Sequence, residues 1–291
     1  MKIGNYLIYL AHTNSDVYNE LILSVYSFKR YHHDNKIKII IYTDNENYLK
    51  DYLNAFDIIY VSINHETINS WLGGKHGVCK TKIACLLDAS KRFTGNFLLV
   101  DTATYFTNHS IHLFQQVQAF RLALHVFEKQ LDRSGNYKGL YGKGIVINGR
   151  TYLLTSKTEI WNTGVIGISS YQNFLLEEAN LLCDYMYKLN HTNVAEQVAL
   201  SVVFQKENKI VNADYAIFHY ANLKEIRPEL NRLLSKPEAK TNTYLQTLVR
   251  SVNPKYIWHE KLEWKRQNRF RMPLFKLFNI PFRLHPIKIY I

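Results

Sequence analysis

Cysteine is scarce in these 291 residues: there are three, Cys79, Cys85 and Cys183. An odd number with no repeated spacing argues against a disulfide framework. Cys79 and Cys85 have no paired Cys or His pattern that would make a zinc site. They read as buried, inert thiols, which fits a reducing, cytoplasmic compartment. Long apolar runs are also missing. Nothing approaches the roughly 20 residues that cross a bilayer, and the apolar stretch at residues 6–10 is too short for a secretory core and reads as a strand. No Gly-x-Gly-x-x-Gly, P-loop or Gly-x-Ser-x-Gly pattern occurs. Ordinary dinucleotide enzymes, P-loop NTPases and α/β-hydrolases are thereby disfavoured. There is no internal repeat.

Negative charge is short as well. Asp and Glu number 24 against 36 Lys and Arg, a formal net charge of +12. The excess concentrates near the end. Between Lys255 and Lys288 nine basic residues meet only Glu260 and Glu263, a net +7. They interleave with Trp258, Trp264, Phe270, Leu274, Phe275, Leu277, Phe278 and Phe282. Cations mixed with interfacial aromatics point to an anionic membrane surface. Nucleic acid is disfavoured, because no reader module is recognisable.

An apolar fraction of 47% over this length is enough for one large α/β domain and an appendage. Residues 5–11 read as a strand, 17–31 as a helix with Leu21, Val25 and Phe28 on one face, and 36–42 as an Ile-rich strand. A helix over 46–55 and a strand over 57–62 follow, then a helix over 80–93 and a strand ending at Asp101. Residues 111–114 suggest a short helical turn and 137–148 a hairpin or loop. Residues 160–168 read as a strand interrupted by Asn162-Thr163-Gly164, 171–189 and 194–206 as helices, and 210–218 as a last strand. Strand–helix alternation implies parallel crossovers and a mostly parallel, doubly wound sheet. Pro254, Pro273, Pro281 and Pro286 break the tail into short pieces. The expected organisation is a domain over 1–225 and a helical, basic-aromatic extension over 226–291.

Residues 97–106, Phe-Leu-Leu-Val-Asp-Thr-Ala-Thr-Tyr-Phe, show a buried-type strand ending in a carboxylate, Asp101. Such a strand delivers its acid to the carboxyl edge of a parallel sheet. Strand one ends at the same edge with Ala11, His12 and Thr13, where doubly wound sheets bind nucleotides. Lys80 opens the helix before the Asp101 strand, within reach of a phosphate. Further on come Trp161-Asn162-Thr163-Gly164-Val165, then Ala195-Glu196-Gln197, then Phe218-His219-Tyr220 with Lys224. Gly164 permits close approach to the backbone, and Asn162 both donates to and accepts from hydroxyls.

In this order, over residues 5–225, the segments resemble GT-A glycosyltransferases, family 8 in particular. The resemblance implies a single Rossmann-like nucleotide-binding domain and a divalent cation, Mn2+ or Mg2+, held by an Asp-x-Asp pair and a late His. It assigns Asp101 and His219 to the metal. Ala11, His12, Thr13, Lys80, Asp101, Thr102, Gly164 and Lys224 fall to the donor, and Asn162, Glu196 and Gln197 to the reacting sugars. It implies transfer of a hexose from a nucleotide sugar, a UDP-sugar, to a glycan or lipid-linked glycan hydroxyl with retention. The setting it implies is bacterial surface polysaccharide or lipopolysaccharide assembly, with the protein peripheral on the inner face of the membrane.

One position departs from the pattern. Ala103 stands where the second carboxylate belongs. Three explanations stay open: a disabled variant, a metal held by Asp101, His219 and the diphosphate alone, or a metal-independent or inactive relative. The intact residues around Ala103 favour the first. The rival function is a non-catalytic protein that binds nucleotide sugars or glycans.

Overall fold

Asparagine organises the first half of the chain. Asn14 caps α1 (Ser15–Lys29) by accepting from the Asp16 amide at 2.8 Å. Asn45 caps α2 (Glu46–Leu53) and Asn64 caps α3 (His65–Trp71) in the same way. Each follows a parallel strand: β1 (Gly4–Ala11), β2 (Ile37–Thr43) and β3 (Ile58–Ser62). The computed structural model describes residues 3–34, 36–72, 80–131, 139–190, 194–207 and 210–289, so Cys79 lies outside the described residues. Cys85 and Cys183 are buried.

Helix α4 (Thr81–Arg92) leads into β4 (Gly95–Val100), all of it buried. Then come β5 (Thr104–Phe106), α5 (Ile111–Gln118), β6 (Ala123–Leu124) and β7 (Phe127–Gln130). The hairpin β8 (Gly144–Ile147) and β9 (Arg150–Leu153) turns on Asn148 and Gly149, both at positive φ, as tight hairpins require. It lies later than the 137–148 expected, and 137 and 138 lie outside the described residues. The rest is β10 (Glu159–Trp161), β11 (Val165–Ser169), α6 (Asn173–Asn190), α7 (Ala195–Glu207), β12 (Val211–Asn212), β13 (Ile217–His219), α8 (Ile226–Leu234), α9 (Asn242–Ser251), α10 (Pro254–Gln267) and α11 (Met272–Leu277).

The central sheet has seven strands in the order β12-β6-β11-β4-β1-β2-β3. Within it β11 alone runs antiparallel to its neighbours. The expected mostly parallel α/β architecture is therefore present. Alternation along β4 sends Leu98 and Val100 to a core shared with α1, α8 and α9. Phe97 and Leu99 go to a second core with α4, α6 and α7. Burying each such side chain contributes about 1.5–3 kcal/mol. At their starts β1 and β4 approach so closely that a Cβ on Gly95 would lie 2.1 Å from the Gly4 carbonyl oxygen.

Two expectations change. The strand read over 210–218 is two strands in different sheets. Asn212 accepts from the Asp214 amide at 3.1 Å and turns the chain between them. The interrupted strand over 160–168 is likewise divided between two sheets. In the span after residue 225, Ile226, Leu230, Leu233, Leu245, Leu248 and Ile257 are buried in the same core as α1. Their helical spacing supplies a continuous apolar face. No helix among the described residues is long and apolar enough to cross a membrane.

Candidate active site

The sheet order 3-2-1-4 places β1 and β4 side by side, with their crossovers leaving in opposite directions. Ligands bind at such a switch point, outside the carboxyl ends of the strands. A cleft of about 410 Å³ lies there, lined by His12, Thr13, Lys82, Asp101, Thr102, Ala103, His219 and Arg227 among others. A larger cavity of about 730 Å³ sits between the end of α1 and α9, at the opposite edge of the strands. Its position is wrong for this chemistry.

Asp101 is fixed from below. Its amide donates to the Gly164 carbonyl at 2.9 Å. Its carbonyl accepts from Thr104 Oγ1 at 2.6 Å, and Thr104 continues to Ser24 and Tyr9 through buried hydroxyls. The carboxylate faces Lys82, whose Nζ lies 2.7 Å from Oδ1 and 2.9 Å from Oδ2 and also donates to the Thr163 carbonyl at 2.9 Å. Burial alone would raise the Asp101 carboxyl. The Lys82 ammonium, then His219, outweigh it and hold the group well below the usual carboxylate range.

His219 reaches Asp101 because β13 pairs with β5, setting His219 opposite Thr104. Its Nε2 stands 3.3 Å from Asp101 Oδ2. Its Nδ1 meets Asn162 Oδ1 at 3.0 Å. That oxygen also accepts from the Gly164 amide at 2.8 Å. It is therefore an acceptor, and Nδ1 carries the proton it receives. Asn162 Nδ2 donates to Glu128 Oε1, and Gln197 donates to Glu128 Oε2 and to the Trp161 carbonyl. A polar chain thus runs Lys82–Asp101–His219–Asn162–Glu128–Gln197. His125, its ring 5.5 Å from that of His219, is pushed down to about 4 by burial and then by His219.

Thr13, at φ 65, is held in the left-handed region by hydrogen bonds from its amide to Asp44. A β-branched residue there stores strain beside the cleft. Arg227, which lines the same cleft, makes a two-pronged pair with buried Glu20 at 2.8 and 3.1 Å. Burial raises the Glu20 carboxyl and Arg227 works against that rise.

Not every expected residue lines this cleft. Ala11 is buried at the end of β1. Lys80 occupies the cap position of α4 without making a capping hydrogen bond and pairs with Asp184 at 2.8 Å. Lys224 is exposed, and Arg227, three residues on, is the cation at the cleft. Glu196 Oε1 accepts from the Lys82 and Ile83 amides at 2.8 and 3.0 Å. It closes the start of α4, whose own cap position holds a lysine and whose first turn has no acid. Lys82, Arg227, Glu128 and Glu20 escape a sequence reading. Lys82 is two residues from Lys80, and helix register alone separates their directions.

The donor set does not fit a divalent ion. Hard cations require several oxygen ligands. Asp101 offers one carboxylate, already covered by an ammonium, and Ala103 offers no side-chain oxygen. Among the described residues no three His, Cys, Asp or Glu converge as a metal site.

No family model matches the sequence, and no curated protein matches it. Solved structures do. An active-site mutant of LgtC is 12% identical, aligns over 83% of this chain and 99% of its own, and has a TM-score of 0.50. The chain has the GT-A fold. Other GT-A structures of similar shape are galactosyltransferase LgtC with donor and acceptor sugar analogues (11% identity, 79% of this chain, 96% of the other, TM-score 0.47) and mouse xyloside xylosyltransferase 1 (10%, 72%, 85%, TM-score 0.47). At these identities the likeness is one of GT-A architecture.

Proposed function

We propose that this protein is a glycosyltransferase that moves a hexose from a UDP-sugar to a glycan hydroxyl, with retention, in bacterial surface polysaccharide or lipopolysaccharide assembly. The observation that carries the reading is the cleft at the β1–β4 switch point, where Lys82 and Arg227 line the same space as Asp101. The loop after β1 suits the nucleotide. The chain from His219 through Asn162 to Gln197 presents amides and an imidazole to the sugars. UDP at 100 times its Kd stabilises by about 2.7 kcal/mol, so the melting temperature is expected to rise by roughly 5–10 °C. If no nucleoside diphosphate at millimolar concentration shifts melting, the reading fails. Ala103 favours a second reading, a non-catalytic nucleotide-sugar binder. Sugar release from a panel of donors separates the two.

The segment after α10 is assigned to an anionic membrane surface at the inner face. Phe270, Leu277 and Phe278 are 93%, 72% and 67% exposed, beside Arg269, Arg271 and Lys276. Each basic residue at such a surface contributes about 1 kcal/mol. Co-sedimentation with phosphatidylserine vesicles is expected at low salt, weakened by high salt and lost on replacing Phe270, Leu277 and Phe278 together with Ser. Substitution is used because Phe282, Leu284, Ile287 and Ile289, further on, pack against the core and would be lost in a truncation. No binding at low salt, or full binding by the substituted protein, removes the assignment.

A further inference from the structure

We infer that the cation facing the donor diphosphate is built into this chain as the Lys82 ammonium, so that donor binding needs no divalent ion. The inference rests on the nucleotide-sugar reading above and specifies its site. Three observations carry it. Lys82 Nζ stands within 2.9 Å of both oxygens of Asp101, the carboxylate where a metal would be gripped. Position 103 holds an alanine, 6% exposed, with no oxygen to add. Arg227 lines the same cleft and is anchored by Glu20.

Charge balance links the first two. Two carboxylates balance a divalent ion, whereas one carboxylate balances one ammonium. Losing the second acid and supplying a lysine therefore leave a neutral pair, and a divalent ion added to Asp101 would meet the ammonium at close range. An ammonium carries three donors. Asp101 Oδ1, Asp101 Oδ2 and the Thr163 carbonyl all lie within 2.9 Å of it, so an entering phosphate oxygen competes with the nearer carboxylate oxygen for one donor while meeting the ammonium's charge. In the transfer itself the sugar C1–O bond to the β-phosphate breaks and its electron pair stays on the diphosphate. The acceptor oxygen bonds to C1, and its proton passes to the departing phosphate oxygen. Lys82, with Arg227 in the same cleft, stabilises the charge that builds on that leaving group.

The test is calorimetric titration of UDP, GDP and ADP into the full-length protein, in EDTA and in millimolar Mn2+. The expected result is binding of one of them with the same Kd in both buffers. Lys82→Ala is expected to weaken it by about 10- to 100-fold, the worth of one charge-assisted hydrogen bond. Lys82→Arg should recover most of the loss, which shows that charge rather than folding is at stake. The double variant Lys82→Ala with Ala103→Asp should bind again, now only with Mn2+. Binding by the unaltered protein that needs Mn2+ overturns the inference and leaves the glycosyltransferase reading standing. So does unchanged binding by Lys82→Ala. Absence of binding by any of the three nucleotides in either buffer overturns both.

Discussion

Gly164→Ala is expected to destabilise the protein by about 1–3 kcal/mol, the usual cost of overpacking, and to remove UDP binding with it. A Cβ at this position would lie 2.3 Å from His219 Nδ1 and within 2.7 Å of two further ring atoms. The ring cannot yield freely. Asn162 holds Nδ1, Asp101 faces Nε2, and His125 packs edge-on. Displacing it breaks the polar chain at its centre and leaves Asn162 Oδ1 with the Gly164 amide alone. Urea unfolding and the UDP-induced melting shift measure the two effects. A Gly164→Ala protein with wild-type stability and UDP affinity would show that His219 is not held as described.

Glu196→Ala is expected to cost about 2–4 kcal/mol, because two amides at the start of α4 lose their acceptor. One of them belongs to Lys82, so the helix turn that aims the ammonium at Asp101 loosens as well. Glu196→Gln keeps an acceptor oxygen and should recover most of the stability. The resemblance to family 8 gives Glu196 a different task, that of facing the sugar. A residue with only that task would lose turnover on change to Gln while unfolding in urea as the wild type does. Paired unfolding and turnover curves for the two variants therefore separate a capping role from a sugar-facing one.

Much of the architecture is legible in the sequence. The Ile-rich stretch of β2, the helical spacing of Leu21, Val25 and Phe28, and the abrupt end of an apolar strand at Asp101 are local signals. Local signals survive in one dimension. The failures were also physical. At residues 210–218 a turn made by the Asn212 side chain splits what an apolar pattern reads as continuous. After residue 225 the basic composition is a surface signal, and the Leu spacing of α8 and α9 is a core signal that packing beside α1 realises.

The sequence by itself determined the strand order's raw material, the acid at the end of β4, the missing acid at position 103 and the basic, aromatic ending. Each of these is a property of adjacent residues. The tertiary structure decided who meets Asp101. Lys82 arrives from the first turn of α4, His219 from a strand 118 positions after Asp101, and Arg227 from the first turn of α8. Between Lys80 and Lys82 the sequence offers no choice, since both are lysines at a helix start. Helix geometry turns one toward Asp184 and the other onto Asp101, and only packing of α4 against the sheet and against Glu196 fixes that rotation.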